Sequence, residues 1–573
     1  MSFIDKDSII KRIRRRYWFI DAYLDWKKGV PGILIGVTGP LFLRRPFSLR
    51  GLSFLCHKVI SGKTGSGKSN FLGIFVSGCI LLNTGVFLID PHADLARRII
   101  GYLRSVGFFK LPNFTKRLLY INFGIKDELG KPTHFLPLNI LKQPFDKYDI
   151  AENFVEVIYR IWPYLRDSAP HLSNILVNTI IVLIDNDLPI TKIEKVLTNR
   201  EYREKFLLTI DDEMVLDFFH TRFDRWGKDE AKMVESTLNK IGNIIFTPKL
   251  RHSLEQKENA LNFREIIESG TSVIANLGGL NEVTQKFIGC FLTIGMETAM
   301  SYRENIAPEK RKPYFFVLDE FQMFVNNSEK SFNKFLSEAR KYNVFVVVAH
   351  QYTAQLPEQL QAALQNSLRI TFKLEDDSLN TAEKITEYKS DRVKREVEDT
   401  DARKRSLPRD FTPLETFHEK ASEIKNLCVG EAFIKLENRL EKVLVNKFPE
   451  DASTREEVLE IEMYYANLLM TKREELEANK RHEKEKDAEI PFNQQNTDKS
   501  PDTQRQDIGS FEKDGLDIEL EIEPAMEEKD IETDLPKNST TDPAVELNVV
   551  PNKNIEEIEV SPKEVFKRER RGD

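Results

Sequence analysis

Short, continuous apolar runs recur along the first 450 residues and alternate with segments of helical periodicity, such as residues 282–302. Strands of a parallel sheet show such runs, because helices cover both faces of the sheet. The pattern therefore predicts an α/β fold of three layers, in which a mainly parallel sheet lies between helices. The predicted strands are 56–61, 85–90, 118–123, 272–277, 314–320, 344–351 and 368–374.

Residues 147–265 interrupt this alternation, because they contain helical segments and no convincing strand. Phe154, Ile158, Ile161 and Leu165 recur at helical spacing and would share one apolar face. We interpret this segment as a helical subdomain inserted into the α/β domain.

The two ends of the chain differ from its middle in composition. Residues 9–19 are basic, which favours a solvated amphipathic helix, with contact to nucleic acid or an anionic surface as the alternative. Residues 451–573 hold 34 acidic and 18 basic side chains, whereas the first 450 residues hold 57 acidic and 66 basic. A basic body suits a polyanionic partner, although this excess is small. From about residue 485 the composition predicts disorder.

Cysteine spacing and hydropathy indicate the compartment. The four cysteines lie far apart without a CxxC pair, which predicts no disulfide framework and a reducing environment. The apolar stretch 32–43 is interrupted by glycine and proline and is shorter than the roughly 20 residues of a membrane-spanning helix. We read it as short strands with turns. The expected location is the cytoplasm, with any docking to the inner face of the membrane made through a partner.

The segment GKTGSGKS, residues 62–69, matches GxxxxGK[ST] at every fixed position. It follows a predicted strand and precedes a predicted helix, which is the context this phosphate-binding motif requires. Lys68 would neutralise the β- and γ-phosphate oxygens, and the Ser69 hydroxyl would hold Mg²⁺. We therefore expect ATP and Mg²⁺ as ligands. The expected nucleotide-binding residues are Gly62, Lys63, Thr64, Gly65, Ser66, Gly67, Lys68, Ser69 and Asn70.

Two acidic residues close the predicted strand 314–320. Asp319 can bind Mg²⁺, and Glu320 is placed to polarise the water that attacks the γ-phosphate. This adjacent pair favours a hydrolase that couples ATP to motion over a kinase or a small GTPase.

Further polar residues lie at the ends of predicted strands. Gln351 is expected between the γ-phosphate and Mg²⁺, where it would sense hydrolysis. Arg340 is the first candidate for an arginine that acts across a subunit boundary, and Arg369 is the competing one. Asp90 either assists the metal indirectly or orders the sheet edge, and His57 is expected to be a packing residue.

Taken in order, six segments of the chain resemble the FtsK–HerA superfamily of pumping ATPases. Within it they are similar to the type IV coupling proteins of conjugation, the TraD/TraG-like group with a TraM-recognition-type segment. The resemblance covers roughly residues 30–445 and implies a RecA-like motor domain with an inserted all-helical domain. It also implies a hexameric ring with ATP sites between subunits and DNA in a central channel. The segments are 57–72, 88–95, 136–141, 262–277, 317–324 and 337–367.

The resemblance also implies roles for individual residues. Lys68 and Ser69 match the phosphate loop of the family, and Asp319 and Glu320 match its second motif. Gln351 corresponds to the glutamine sensor of the family, and Arg340 corresponds to its inter-subunit arginine. Coupling proteins commonly begin with transmembrane helices, whereas this sequence shows none, so membrane anchoring of its own is not expected.

These observations predict five parts of the chain. They are an N-terminal basic helix and short β segment (1–50), the first part of the P-loop ATPase domain (51–146), the inserted helical subdomain (147–265), the second part of the ATPase domain (266–448) and a charged, largely disordered tail (449–573).

The expected function is an ATP-hydrolysing DNA translocase, a hexameric coupling-protein motor that delivers DNA to a type IV secretion or conjugation channel. The alternatives are a HerA-like DNA-processing or packaging ATPase, a secretion-assembly ATPase that acts on protein, and a nucleotide-regulated binding module. The expected partners are DNA contacted through its phosphates, further copies of the chain, and a relaxase or secretion-channel subunit.

Overall fold

A computed structural model describes most of residues 32–478 of the 573-residue chain. The predictions for the basic N-terminal segment and for the chain after residue 478 lie outside the described residues. The positions within 32–478 that are not described are 41–43, 170, 226–227, 246, 326–328, 352–363, 365–366, 376, 387–391, 399–403, 411–412 and 437–438.

Most of the strands belong to one large mixed sheet, and the other four described strands form two separate two-stranded ladders. Their bounds are β1 (Gly32–Thr38), β2 (Arg45–Arg50), β3 (Lys58–Ser61), β4 (Gly85–Asp90), β5 (Leu118–Asn122), β6 (His134–Phe135), β7 (Ser272–Asn276), β8 (Tyr314–Leu318), β9 (Val344–His350), β10 (Leu368–Thr371), β11 (Arg392–Glu398), β12 (Lys404–Asp410), β13 (Glu431–Leu436), β14 (Arg439–Val445) and β15 (Thr471–Lys472).

The large sheet has 11 strands in the order β2-β1-β14-β13-β10-β3-β9-β8-β4-β7-β5. The stretch from β10 to β5 is parallel throughout, and each of its strands overlaps one of the apolar runs that predict strands. The predicted α/β fold with a mainly parallel sheet is therefore confirmed.

Beyond β10 the sheet continues with antiparallel strands, in which β13, β14, β1 and β2 pair in turn. The β1 strand confirms the reading of the apolar stretch 32–43 as a short strand. The hairpin of β13 and β14 was not predicted, because its strands mix charged and apolar residues and form no continuous apolar run. This hairpin brings the start of β13 close to the phosphate-binding motif.

Helices connect the parallel strands and fill the long segment between β6 and β7. Their bounds are α1 (Lys68–Leu81), α2 (Asp94–Ser105), α3 (Phe114–Arg117), α4 (Lys147–Ile161), α5 (Leu165–Ser168), α6 (Leu172–Asp185), α7 (Ile193–Thr198), α8 (Arg200–Leu207), α9 (Glu213–Asp217), α10 (Lys228–Ile245), α11 (Pro248–Leu254), α12 (Phe263–Ser269), α13 (Glu282–Ser301), α14 (Gln322–Val325), α15 (Glu329–Ala339), α16 (Ser378–Ile385), α17 (Pro413–Lys425) and α18 (Arg455–Leu469).

Hydrophobic cores lie on both faces of the parallel sheet. Successive residues of a strand point to opposite faces, so Phe87 and Ile89 of β4 join one core while Val86 and Leu88 join the other. Burial on both faces explains why the parallel strands read as continuous apolar runs.

The helices between β6 and β7 pack into one of these two cores. Phe154 and Ile158 of α4 are buried there together with Leu165, as their helical spacing predicts. The described residues of the predicted insert form helices joined by turns, and Asn259 makes an isolated bridge with Leu138 outside the insert. Its boundaries at residues 147 and 265 stay a prediction.

The structure continues beyond residue 449, the predicted start of the charged tail, because α18 packs against the edge of the sheet. The Glu462 carboxylate of α18 is buried and accepts hydrogen bonds from Tyr120 Oη (2.6 Å) and Asn122 Nδ2 (3.2 Å). Farther on, β15 pairs with β6. The helix α18 was not predicted because its sequence is highly charged. Thr454 and Glu457 nevertheless form a capping box, which is typical of a helix start.

Candidate functional site

The site occupies the edge of the sheet at which the parallel strands end. The phosphate-binding motif follows β3, Gln351 follows β9, Asp319 and Glu320 follow β8, and Asp90 ends β4. These four strands are consecutive neighbours in the sheet. Because parallel strands present their carboxyl ends at one edge, residues that are far apart in sequence come together there.

The loop between β3 and α1 has a backbone that only glycine tolerates at one key position. Gly67 has φ 120°, and a β-carbon there would lie 3.0 Å from the ring of Phe372 and 3.2 Å from Cα of Gly430. The space at this position of the loop therefore admits no side chain. Helix α1 begins immediately after the loop, at Lys68. A helix N-terminus that follows such a loop favours bound phosphate.

Residues from the far part of the chain support this loop. The Lys63 N–H donates to the Lys373 carbonyl (2.9 Å), just after β10. The Gly430 N–H, just before β13, donates to the Ser66 carbonyl (3.0 Å). Local sequence patterns do not predict these two hydrogen bonds, because they depend on how β10 and β13 pair in the sheet.

The Lys68 ammonium is buried and donates to the carbonyls of Gly62 (2.6 Å) and Lys63 (3.3 Å). Burial lowers the pKa of Lys68, while the charges of Glu320 and Asp319 act in the opposite direction. The ammonium thus lies among the loop carbonyls and within the field of both acids, where it can meet phosphate oxygens.

The Asp319 carboxyl is buried, and its pKa is raised to about 7. Burial is the largest cause, followed by the charges of Asp90 and Glu320, while Lys68 lowers the pKa. A divalent cation would relieve this repulsion, and oxygen ligands are those that Mg²⁺ prefers. The exposed Ser69 in the first turn of α1 completes a donor set that fits Mg²⁺ bound to a nucleotide.

Asp90 has its own contacts, which order the loop after β4. Its carboxylate accepts the backbone N–H groups of His92 (2.9 Å) and Ala96 (2.8 Å). These bonds support the role in ordering the sheet edge. The same carboxylate acts on the metal site through its charge, because it raises the pKa of Asp319.

Both carboxylate oxygens of Glu320 accept a side-chain amide. Gln351 Nε2 donates to Oε1 (2.9 Å), which brings together two residues singled out in the sequence. Gln322 Nε2 donates to Oε2 (2.5 Å), and Gln322 is not among the site residues predicted from the sequence. Glu320 itself has φ 50°, a left-handed conformation that is uncommon for a residue other than glycine.

Arg340 lies at the opposite edge of the sheet, about 20 Å from the phosphate loop given the rise of a strand. Arg369 lies within β10 and pairs with Val59 of β3, which places it roughly 10 Å before the loop. Arg340 is exposed in the 3₁₀ turn Arg340–Tyr342 that precedes β9. Arg369 in β10 is partly buried, and its Nη2 donates to the Leu364 carbonyl (3.4 Å). Because Arg340 is exposed and lies far from the phosphate loop of its own chain, it is the better candidate for acting on a neighbouring copy.

The turn that carries Arg340 is fixed from behind by two other arginines. Arg303 is buried and donates to the Tyr342 carbonyl (2.9 Å), and Arg311 donates to the Lys341 carbonyl (2.9 Å). These bonds hold the backbone of the turn while the Arg340 side chain faces solvent.

Two family models match the sequence over most of this fold. The model described as "Helicase HerA, central domain" matches residues 54–293. The model described as "Type IV secretion-system coupling protein DNA-binding domain" matches residues 197–445. Together the two matches span residues 54–445 and support the resemblance to the FtsK–HerA superfamily.

Several solved structures are similar to this chain. The conjugative coupling protein TrwBdeltaN70, in an unbound form, is 14% identical over 70% of this chain and 88% of its own, with a TM-score of 0.45. TrwB with ADP and Mg²⁺ is 16% identical over 69% and 87%, with a TM-score of 0.42. VirB4 of Thermoanaerobacter pseudethanolicus is 13% identical over 74% and 98%, with a TM-score of 0.45. These values are too low to assign a function, and no curated protein matches the sequence.

Two further residues from the sequence analysis, Asn70 and His57, have defined contacts in the structure. The Asn70 side chain accepts a hydrogen bond from Arg98 (2.9 Å), and its expected role in nucleotide binding stays a prediction. His57 is largely buried, and its Nδ1 accepts the Val346 N–H (3.0 Å), in keeping with a packing role.

Among the described residues, no single helix is long and apolar enough to cross a membrane. One pair, Leu172–Asp185 with Ile190–Thr198, passes by length and composition together but is bent by 120°. In the same part of the chain, no group of three or more His, Cys, Asp or Glu side chains could hold a metal ion.

Proposed function

We propose that this protein is an ATP-hydrolysing DNA translocase of the coupling-protein type, which delivers DNA to a type IV secretion or conjugation channel. The observation that carries the proposal is the joint placement of Lys68, Asp319, Glu320 and Gln351 at one sheet edge. A nucleotide-regulated binding module needs the phosphate loop but has no use for a carboxylate base beside it. The match of residues 197–445 to a coupling-protein DNA-binding domain supports DNA as the cargo.

Each residue of the site has a defined task in hydrolysis. The loop N–H groups and the start of α1 bind the phosphates of ATP, and Lys68 neutralises the β- and γ-oxygens. Ser69 and Asp319 would hold Mg²⁺, which supplies further charge neutralisation at these oxygens. Glu320 accepts a proton from the attacking water. Gln351 contacts this base, and from there it would sense the γ-phosphate.

The Arg340 turn would complete the site of a neighbouring copy. In a closed ring, the arginine edge of one copy faces the phosphate-loop edge of the next, and an arginine stabilises charge on the transferred phosphoryl group. We therefore propose a homo-hexamer with ATP sites between subunits.

DNA contact would be made mainly to phosphates, so affinity would fall steeply with salt and depend little on sequence. A relaxase or a secretion-channel subunit is the protein partner that this role requires. Docking to the inner face of the membrane through such a partner belongs to the same proposal.

The test is ATP turnover of the full chain with no DNA, with single-stranded DNA and with double-stranded DNA. Glu320→Gln is the blank, and a loss of turnover of about 10²- to 10⁴-fold is expected for the loss of a general base. Glu309→Gln is the matched control, because Glu309 is exposed at the opposite edge, before β8.

Turnover that rises with DNA and disappears in Glu320→Gln, but not in Glu309→Gln, would support the DNA motor. Turnover that no DNA changes would contradict it and favour a secretion-assembly ATPase that acts on protein.

A further inference from the structure

Gln322 donates a hydrogen bond to the carboxylate of Glu320 and has no assigned role. We propose that Gln322 is the positioning residue of the catalytic base: its amide keeps the Glu320 carboxylate oriented while Gln351 exchanges its contact with Glu320 for a contact with the nucleotide. This inference rests on the proposed function only in that Glu320 is taken as the base.

The two glutamines bind different oxygens of one carboxylate. Gln351 Nε2 lies 2.9 Å from Oε1, and Gln322 Nε2 lies 2.5 Å from Oε2. Each carboxylate oxygen has two lone pairs, so one amide bond leaves room for a proton from water. When Gln351 leaves, Gln322 still fixes the plane of the carboxylate, and Oε1 becomes open to water.

The attachments of the two glutamines to the fold explain this division of roles. Gln322 begins α14 in the same turn as Glu320, since the Met323 N–H donates to the Glu320 carbonyl (3.0 Å). Gln351 instead follows β9, a separate strand. A shift between the ends of β8 and β9 would break the Gln351 contact and preserve the Gln322 contact.

The surroundings of the Gln322 amide also point to a task in orientation. Its Oε1 is buried and accepts no hydrogen bond in the described part of the chain, so the bond to Glu320 is what holds the amide in place. Glu320 has the uncommon φ of 50°, a conformation that persists where surrounding contacts impose it. The hydrogen bond from Gln322 to Glu320 connects two side chains of this strained turn.

The experiment measures kcat and KM for ATP with the full-length protein carrying Gln322→Met, which keeps the length of the side chain and removes the amide. We expect kcat to fall about tenfold with KM unchanged, because a poorly oriented base acts on bound substrate. Met323→Leu, in the adjacent position of the same turn, is the control and should keep the kcat of the unaltered protein.

The same substitution is then made in the Glu320→Gln background. Because no carboxylate base is left to orient, residual turnover in single-turnover assays should not fall further. A merely structural Gln322 would lower turnover equally in both backgrounds, and this result would overturn the inference, as would an unchanged kcat in the single variant.

If Gln322→Met does not fold, Gln322→Glu provides the same test with a nearly isosteric side chain. It replaces the donor with a second acid, and the same loss of kcat is expected. The DNA proposal is judged separately, by the stimulation of the unaltered protein. A Glu320→Gln protein with undiminished turnover would overturn the inference by removing the base on which it rests.

Discussion

At the scale of single residues, two kinds of constraint operate around the phosphate loop. One is steric, because Gly67 lies against Phe372 and Gly430 with a backbone angle that side chains rarely adopt. The other is electrostatic, because the fully buried Lys58 at the start of β3 is held by carbonyls and aromatic rings. Both residues are therefore under constraints that a surface residue does not experience.

Gly67→Ala should weaken nucleotide binding at least tenfold, because the new methyl group meets the backbone of Gly430 and pushes the loop open. Titration of a fluorescent ADP analogue measures this affinity. Gly130→Ala is the matched control, since Gly130 also has a positive φ but has open space around its β-carbon position. Equal effects of the two substitutions would show that backbone strain alone, and not the close approach, matters.

Because Lys58 is buried, we expect a specific dependence of the protein's folding stability on pH. Burial lowers its pKa from 10.5 to about 8, so between pH 8 and 10.5 the unfolded chain binds more protons than the folded one. The free energy of unfolding should therefore rise with pH across this window, by about 3 kcal/mol relative to Lys58→Met. Urea unfolding of both proteins at several pH values measures this difference. The exposed Lys310→Met should follow the unaltered protein, and parallel curves for Lys58→Met would refute the assignment.

At the scale of elements, α18 extends the ordered fold beyond the last strand of the large sheet. Besides the bonds from Tyr120 and Asn122, its Glu462 lies 3.4 Å from Arg97 Nε of α2. The Tyr465 hydroxyl donates to the Leu118 carbonyl (2.8 Å). These contacts attach the helix to β5, the edge strand of the sheet.

Glu462→Ala should lower the free energy of unfolding by about 2 to 4 kcal/mol, because it leaves buried donors and part of an ion pair without an acceptor. Urea unfolding measures the loss. Glu456→Ala, on the exposed side of the same helix, should change stability by less than about 0.5 kcal/mol. A stability of Glu462→Ala equal to that of the control would mean that α18 does not depend on this contact.

At the scale of the whole molecule, the residues of the proposed site are divided between the two edges of the sheet. The carboxyl ends of the strands carry the phosphate loop and the acids, whereas Arg340 lies at the amino end of β9. In the described part of the chain, Arg340 therefore lies far from the phosphate loop of its own copy. The proposed ring brings this arginine to the phosphate loop of a neighbour.

Mixed assemblies test this division. Arg340→Ala and Glu320→Gln should each be inactive alone, but a random equal mixture should regain activity at about a quarter of its interfaces, where an intact Glu320 meets an intact Arg340. ATP turnover after mixing and reassembly measures this recovery. Substituting Arg369→Ala for Arg340→Ala gives the comparison between the two arginines. Absence of recovery with Arg340→Ala would contradict its action across subunits.

The sequence alone determined the parallel strands and the phosphate loop. A strand that is buried on both faces appears in the sequence as a continuous apolar run, and the phosphate loop appears as closely spaced glycines. Both features can therefore be predicted from neighbouring residues. Asp319 and Glu320 were likewise visible, because they directly follow such a run.

Only the tertiary structure decided what lies around these residues. The contact of Gln322 with Glu320, the support of the loop by Gly430 and the docking of α18 through Glu462 each depend on which strands pair and on the turn after β8. In the sequence, Gln322 and Glu462 are single polar residues among many. Their significance comes from burial beside a particular partner, which local sequence patterns do not specify.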